Sequence, residues 1–328
     1  MDLEPNSDEQ QLIDTAHSFL MKGMPAARLH GADAGRFTED MRSQLAELGW
    51  YGLGLSEEMG GFGFTIVDEV LLFREIGRQL APLGVLNISL AAKIAAAAGD
   101  AALVGKLISG EIGVALAVTD PNRKVSRVFE WHDASYAAII DASGARLVEL
   151  SAGAVEPAPC LDRSVTMGFA DLSKLGIAAQ TDSTDIDRIG RILSAAMLVG
   201  ASEAMTDMIV EYAKIRETFG RPIGAYQAVR HPCADMAVSA FTARAQLFFA
   251  SVCLRDGRAD AGLQTDAAKV LANEAALQNA DKNIQLHGGI ATTDEHDAHL
   301  YLKRTHLVAQ LFGGSAALDR ILEASVAA

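Results

Sequence analysis

Residues 216–236 read RETFGRPIGAYQAVRHPCADM. An arginine, an aromatic three positions on and a glycine suited to a tight bend interrupt a chain whose pattern is helical on both sides. Upstream lies IDRIGRILSAAMLVGASEAMTDMIVEYAKI (186–215). Downstream lie AYQAVRHPCADMAVSAFTARAQLFFASVCLRDG (225–257), DAAKVLANEAALQNADKNIQLHG (266–288) and HDAHLYLKRTHLVAQLF (296–312). These long apolar-periodic runs, separated by turn signals, predict an antiparallel four-helix bundle over 184–328.

Toward the N-terminus, residues 7–30 read as a helix with Ser7 as N-cap and Leu12, Ile13, Ala16, Phe19 and Leu20 at helical spacing. FTEDMRSQLAELGW (37–50), capped by Thr38, predicts a second helix that ends before the glycine-rich MGGFGFT (59–65). VDEVLLFREIGRQLAP and ISLAAKIAAAAGDAALVGKLISGE resume the helical period. From Gly113 the texture changes: VALAVTD, YAAIIDA, ARLVELS and AVEPA are short apolar or alternating runs bounded by Asp, Gly and Pro, the pattern of strands. The predicted fold class is mainly α with a small β middle domain. Its expected divisions are a helical domain at 1–112, a β-rich domain at 113–183 and the bundle at 184–328. No fixed-period repeat suggests a solenoid.

Half of the 328 residues are hydrophobic and only 21% are charged, so the whole chain is expected to fold. A net charge of -14 argues against general phosphate-backbone binding, and no nucleic-acid partner is expected. The N-terminus carries acidic residues where a secretory signal has basic ones, so export is not expected. LAAKIAAAAGDAALVGKLI is broken by Lys93, Asp100 and Lys106, short of the roughly 18 uninterrupted apolar residues of a membrane span. A cytoplasmic protein without a membrane partner is expected. Cys160, Cys233 and Cys253 are widely spaced and form no CxxC, so neither a disulfide framework nor a thiolate metal site is predicted.

RETFGRPIGAYQAVRHPCADM, QLHGG (285–289), HDAHLYLKR (296–304), LAELGWYGLGLSEEMGGFGF (45–64) and EIGRQLAP (75–82) together resemble the acyl-CoA dehydrogenase family, in the family's order and over nearly the whole chain. The resemblance implies an N-terminal helical domain, a reduced β domain and a C-terminal four-helix bundle. It also implies an FAD at a subunit interface. Arg216 would then meet the pyrophosphate of the neighbour's cofactor and Phe219 would pack near its adenine end, with Gln227 following at the family's spacing. Gln285, Gly288 and Gly289 would serve the adenosine and ribityl region. Outside this context Arg216 would read as a solvated helix-end charge, Phe219 as a core residue and His-Gly-Gly as a C-cap. In the middle domain, Thr119, Asp120 and Pro121 are only a partial echo of the family's Thr-Glu-Pro strand, and no Trp-Ile-Thr equivalent follows. The resemblance therefore implies FAD shared with a partner subunit.

The family's reaction removes an α-proton as hydride leaves the β-carbon, which requires a carboxylate within reach of the α-carbon. At the family's two base positions this chain has Gly313 and Gly190. Asp187, Glu203, Asp207, Glu217 and Asp235 could be offered as substitutes, but each reads more simply as a solvated face or helix-dipole charge. No catalytic residue is assigned. His287, His296, His299 and His306 lack the clustered carboxylate of a metal site, and no metal is predicted.

The combination resembles one half of heteromeric acyl-CoA dehydrogenases, in which unlike chains form α2β2 tetramers acting on bulky thioesters such as sterol or bile-acid side chains. It implies a homologous catalytic subunit as partner, an acyl-CoA substrate and an electron-transfer flavoprotein as acceptor. A flavin-dependent monooxygenase of the same fold and a non-enzymatic scaffold would also tolerate both glycines.

Overall fold

The computed structural model describes residues 3–31, 36–119, 123–141, 143–314 and 316–327; Asp120 and Pro121 lie outside the described residues. Helices α1 (Ser7–Gly23), α2 (Glu39–Glu47), α3 (Ile66–Arg78), α4 (Gly84–Ala97) and α5 (Ala101–Ile108) come first. Strands β1 (Gly113–Val118), β2 (Ser126–Phe129), β3 (Ala134–Asp141), β4 (Gly144–Glu149), β5 (Glu156–Ala158), β6 (Met167–Ala170) and β7 (Ile177–Thr181) follow. Helix α6 (Asp185–Ile215), strands β8 (Glu217–Thr218) and β9 (Arg221–Pro222), and helices α7 (Gln227–Arg255), α8 (Ala261–His287), α9 (Ala298–Ala309) and α10 (Ala316–Ala327) complete the chain.

Two expectations at the N-terminus are corrected. The N-cap of α1 is Asn6, not Ser7: its Oδ1 accepts from the amides of Asp8 (2.9 Å) and Glu9 (3.0 Å), while Glu9 Oε2 accepts from the Asn6 amide at 2.7 Å. Asparagine thus closes a capping box that needs an acceptor one residue earlier. The helix also stops at Gly23, before Pro25, and a 3₁₀ turn (Ala26–Leu29) carries the chain on. Thr38 caps α2 as expected, its Oγ1 accepting from the Met41 amide at 3.3 Å.

The chain sorts into two compact units: Met1–Gly31 with Val70–Ala81 and Arg191–Ala328, and Ala32–Glu69 with Pro82–Gly190. The second is built on a seven-stranded sheet in the order β5-β6-β2-β1-β3-β4-β7, in which β1 and β3 are parallel and the other neighbours antiparallel. Strands β2, β6 and β7 add to the four runs read from the sequence. Helix α4 packs on β1, β3, β4 and β7 and is buried over almost its whole circumference. That explains an apolar run with no amphipathic stripe. Its one cation, Lys93, is buried against Glu69 at 2.9 Å, and Asn87 Nδ2 donates to the Val114 carbonyl at 3.1 Å.

In the first unit α6 is the core helix. Among the described residues two helices, α6 and α7, are long and apolar enough to cross a membrane by composition; the apolar window of α6 is 78% buried inside the protein and that of α7 only 39%. Helices α3 and α6 meet backbone to backbone at two glycines. A Cβ on Gly77 would lie 2.0 Å from the Met197 carbonyl oxygen, and one on Gly200 would lie 1.9 Å from that of Arg74. Asn279 ties α6, α7 and α8 together: its Nδ2 donates to Ser202 Oγ (2.7 Å) and the Met236 carbonyl (3.0 Å), and its Oδ1 accepts from Ser239 Oγ (3.2 Å). The carbonyls ending α3 are gathered by side chains. Tyr301 Oη donates to that of Arg78 (2.5 Å), Arg28 to those of Gln79 (3.2 Å) and Leu80 (2.7 Å), and Arg304 to that of Ala81 (2.8 Å). The bond to Arg78 satisfies one of the orphan acceptors that every helix end leaves, and the others hold the residues that follow it.

Lys269 on α8 is fully buried and donates to Ser194 Oγ (3.0 Å) and the Val308 carbonyl (3.1 Å). Burial lowers its pKa to about 7.

The glycine crossing and the buried amine give separate tests. Gly200→Ala should lower stability by about 1–3 kcal/mol or more, because backbone cannot yield to an inserted methyl. Gly105→Ala, on α5 with nothing within 4 Å of its added Cβ, should raise it by about 0.5–1 kcal/mol. Denaturant midpoints would measure both. For Lys269, the unfolded chain holds a proton that the folded chain sheds between about pH 7 and about pH 10.4, so stability rises with pH across that window. Lys269→Met should remove that slope from a pH series of unfolding midpoints.

Candidate functional site

Arg216 stands directly after α6, its amide bonded to the Tyr212 carbonyl at 2.9 Å. The next residues form a short antiparallel ribbon in which Glu217 pairs with Pro222 and Thr218 with Arg221. Phe219 (φ 51°) and Gly220 (φ 78°) turn it. Two successive positive φ values make the tight hairpin turn whose twist matches its strands; glycine adopts it freely, whereas phenylalanine does so under strain. Tyr226 locks the ribbon, its hydroxyl donating to the Thr218 carbonyl at 3.0 Å while the Arg221 guanidinium lies 4.1 Å from its ring centroid. Phe219 is 97% exposed. It is therefore no core residue, and an ordered turn holds a bare aromatic outward in a strained conformation.

Gln227 opens α7 on the surface, one residue beyond Tyr226. Gln285 lies exposed in the last turn of α8, and Gly288 caps that helix, its amide bonding to the carbonyls of Ile284 and Gln285. With φ 71° and ψ -150°, Gly288 occupies backbone space that only glycine enters readily. Gly289 has no such reason within the chain. A Cβ at either glycine would meet nothing within 4 Å. The open face here is therefore backbone that another molecule can approach closely. The rings of Tyr212 and His287, at 4.5 Å between centroids, join the end of α6 below Arg216 to the end of α8 below Gly288. One end of the first unit thus carries all six residues singled out from the sequence.

Gly313 lies in a turn between α9 and α10 where Phe312 (φ 55°), Gly313 (φ 91°) and Gly314 (φ 34°) all have positive φ. A Cβ on Gly313 would be 3.2 Å from the Arg320 guanidinium, which clasps Asp266 with bonds of 2.6 and 3.0 Å. Gly190 is buried on α6.

Of the acidic candidates, Glu217 is exposed, Asp207 pairs with Arg78 at 2.7 Å and Asp235 pairs with Lys282 at 3.6 Å. Glu203 corrects its reading as a solvated or helix-dipole charge. It is buried and receives Arg74 (2.7 Å), Arg78 (3.2 Å) and Arg244 (3.2 Å). Three guanidiniums occupy the oxygens of one buried carboxylate, which leaves it poorly placed to act as a base. The network borders a cleft of about 750 Å³ between α1, α3 and α7, whose walls include His17, Arg74, Arg78, Phe241, Arg244 and Phe248. Helical spacing alone could not show that α3 supplies two arginines to one acid on α6. Among the described residues no group of three His, Cys, Asp or Glu side chains is placed to hold a metal ion.

A unit of long helices carrying an R-x-x-F-G hairpin and a Q-x-H-G-G helix end, and a unit built on a small mixed sheet, define the class of acyl-CoA dehydrogenase-fold proteins. Residues 6–110 match the acyl-CoA dehydrogenase N-terminal domain and residues 188–326 the acyl-CoA dehydrogenase C-terminal domain. The chain is 34% identical over 329 residues to the acyl-CoA dehydrogenase IpdE2 of Mycobacterium tuberculosis, covering 99% of each. The chain belongs to the acyl-CoA dehydrogenase family. Its fold matches the ChsE4-ChsE5 complex from Mycobacterium tuberculosis (TM-score 0.84, 22% identity, 98% of each chain). It also matches the Tcur3481-Tcur3483 steroid ACAD (TM-score 0.82, 23% identity, 98% of this chain and 99% of that one).

Gly313→Glu places a carboxylate in the turn between α9 and α10, at positive φ and against Arg320. The isolated variant should lose about 1–3 kcal/mol of stability and gain no acyl-CoA dehydrogenation, because Arg320 captures the new carboxylate. Robust turnover by the isolated variant would show that only the base was missing.

Proposed function

We propose that this chain is the shortened subunit of an α2β2 acyl-CoA dehydrogenase and contributes cofactor contacts to an FAD shared with a homologous catalytic partner. The observation that carries this reading is Phe219: an aromatic fully outside its own chain, held there by an ordered and strained turn, needs a surface supplied by another. Arg216 beside it presents a planar fork suited to a pyrophosphate, and Gln227, Gln285, Gly288 and Gly289 offer polar groups and bare backbone on the same end of the unit. The residues present fit the group. When bound, FAD supplies the hydride acceptor for α,β-dehydrogenation.

With glycine at both base positions, proton abstraction falls to the partner's carboxylate, and this chain's share is binding and orientation. The substrate on this reading is a bulky acyl-CoA such as a steroid side chain, a reading that the steroid ACAD among the fold relatives supports, and electrons leave to an electron-transfer flavoprotein in the cytoplasm. The three-part division at 112/113 and 183/184 belongs to the same proposal.

Co-expression with a homologue that has an intact glutamate tests the assembly. In that complex Arg216→Ala should leave the tetramer assembled and cost about 1.5–3 kcal/mol of FAD binding, or roughly tenfold to a hundredfold in affinity. Arg216→Lys should recover part of it. Titration of the deflavinated complex with FAD measures both, and equal affinities for wild type and Arg216→Ala would overturn the assignment. Flavin turnover without acyl-CoA would favour the monooxygenase, and an assembly that never takes up flavin would favour the scaffold.

A further inference from the structure

Four histidines surround the segment that follows α8. His287, its last residue, donates from Nδ1 to the Asn283 carbonyl at 2.8 Å. Its ring lies between those of Tyr212 and His296, each at 4.5 Å, and its Nε2 is buried with no partner among the described residues. His296 Nδ1 accepts from the Ala298 amide at 3.1 Å, at the start of α9, where the N-cap Asp297 makes no side-chain cap bond. His299 Nδ1 accepts from the Lys303 ammonium at 3.1 Å. His30, on the segment after α1, donates from Nε2 to Asp297 Oδ1 at 2.6 Å, and its ring sits 6.0 Å from that of His299.

We propose that these histidines form an acid-sensitive latch, which holds the loop from Gly288 to Asp297 closed while His287, His296 and His299 are neutral and frees it when they gain protons. Each contact has a sign that a proton reverses. On His296 Nδ1 a proton replaces an acceptor by a donor facing the Ala298 N–H. On His299 it sets a cation against Lys303. On His287 Nε2 it places charge in a buried position with no acceptor and beside His296. The charged and titratable groups facing the cluster are Tyr212 from α6, Lys303 from α9, His30 from the segment after α1, and Asp294 and Asp297 from the loop. Asp297, bonded to His30, favours the new cations on His296 and His299 but does not outweigh their burial.

Burial is the first cause lowering the pKa of all three, opposed in part at His287 by its bond to Asn283 and at His296 by Asp297, and reinforced at His299 by Lys303. The open loop therefore binds more protons than the closed one just below the ordinary histidine value of about 6.5, and closure weakens as pH falls through that window. The loop begins at Gly288 and Gly289. On the reading proposed above, which this inference extends, acid would loosen the chain's hold on flavin.

Hydrogen exchange on the full chain, corrected for intrinsic rates, from about pH 7.5 to about pH 5.5, tests the latch. Wild type should lose about tenfold or more of its protection in peptides covering 286–300, with peptides from α3 and the middle of α6 unchanged. His296→Asn combined with His299→Gln should hold its protection, because both amides accept as Nδ1 does and neither titrates. Constant protection in wild type overturns the proposal, whatever the variant does, and so does equal acid loss in wild type and variant. FAD retention by the assembled holoenzyme over the same range separates the two readings. Lost protection with unchanged retention supports the latch and removes 288–289 from the cofactor contacts. Falling retention with constant protection overturns the latch and leaves those contacts standing.

Discussion

The approach of α3 to α6 at Gly77 and Gly200 is the constraint on which the first unit depends. Only hydrogen side chains let a carbonyl of each helix lie where the other's Cβ would stand. The crossing brings Arg74 and Arg78 to Glu203, one turn beyond Gly200, so the acid can be buried without being stranded. It also fixes the end of α3, whose carbonyls hold Arg28, Tyr301 and Arg304. Two of those three side chains stand on α9, and the loop that enters α9 is the one that leaves the end of α8 at Gly288. A pair of glycines thereby positions a surface built from other segments of the chain.

The electrostatics follow one rule. Four acids of the bundle helices are engaged: Glu203 and Asp207 by arginines of α3, Asp266 by Arg320, Asp235 by Lys282. A carboxylate so engaged has its oxygens turned to cations rather than to an open site. Gly313, in a turn at positive φ, and Gly190, buried on α6, carry no side-chain carboxylate. Placing a free carboxylate at Gly313 would require a different backbone as well as a different side chain.

The helices from α6 to α9 were legible because their apolar period is long and uninterrupted, whereas the short α10 went unread. Boundaries were less legible. Asn6 and Ser7 are equally good caps on paper, and only the reach of Glu9 back to the Asn6 amide chooses between them. Strands β2, β6 and β7 went unread because four or five residues show little alternation, and β7 pairs only with β4, far back in the chain. The motif residues could be found in sequence as a set. Their arrangement could not: that Phe219 lies outside its own chain depends on two positive φ angles and on Tyr226, and that Glu203 is buried depends on a helix crossing with no local signature.

Lys269 has a chemical consequence beyond stability. An exposed lysine near neutral pH is easily reached but almost wholly protonated, so few molecules at any instant carry a nucleophilic lone pair. At Lys269 the situation is inverted: with its pKa near 7, about half the amines are in the reactive form, yet α6, α8 and α9 close over them. Electrophiles that modify lysines would pass over this one while the bundle is shut and find it as soon as those helices part. The residue is in effect a recorder of core breathing, its covalent label accumulating in proportion to the time the interior has spent open.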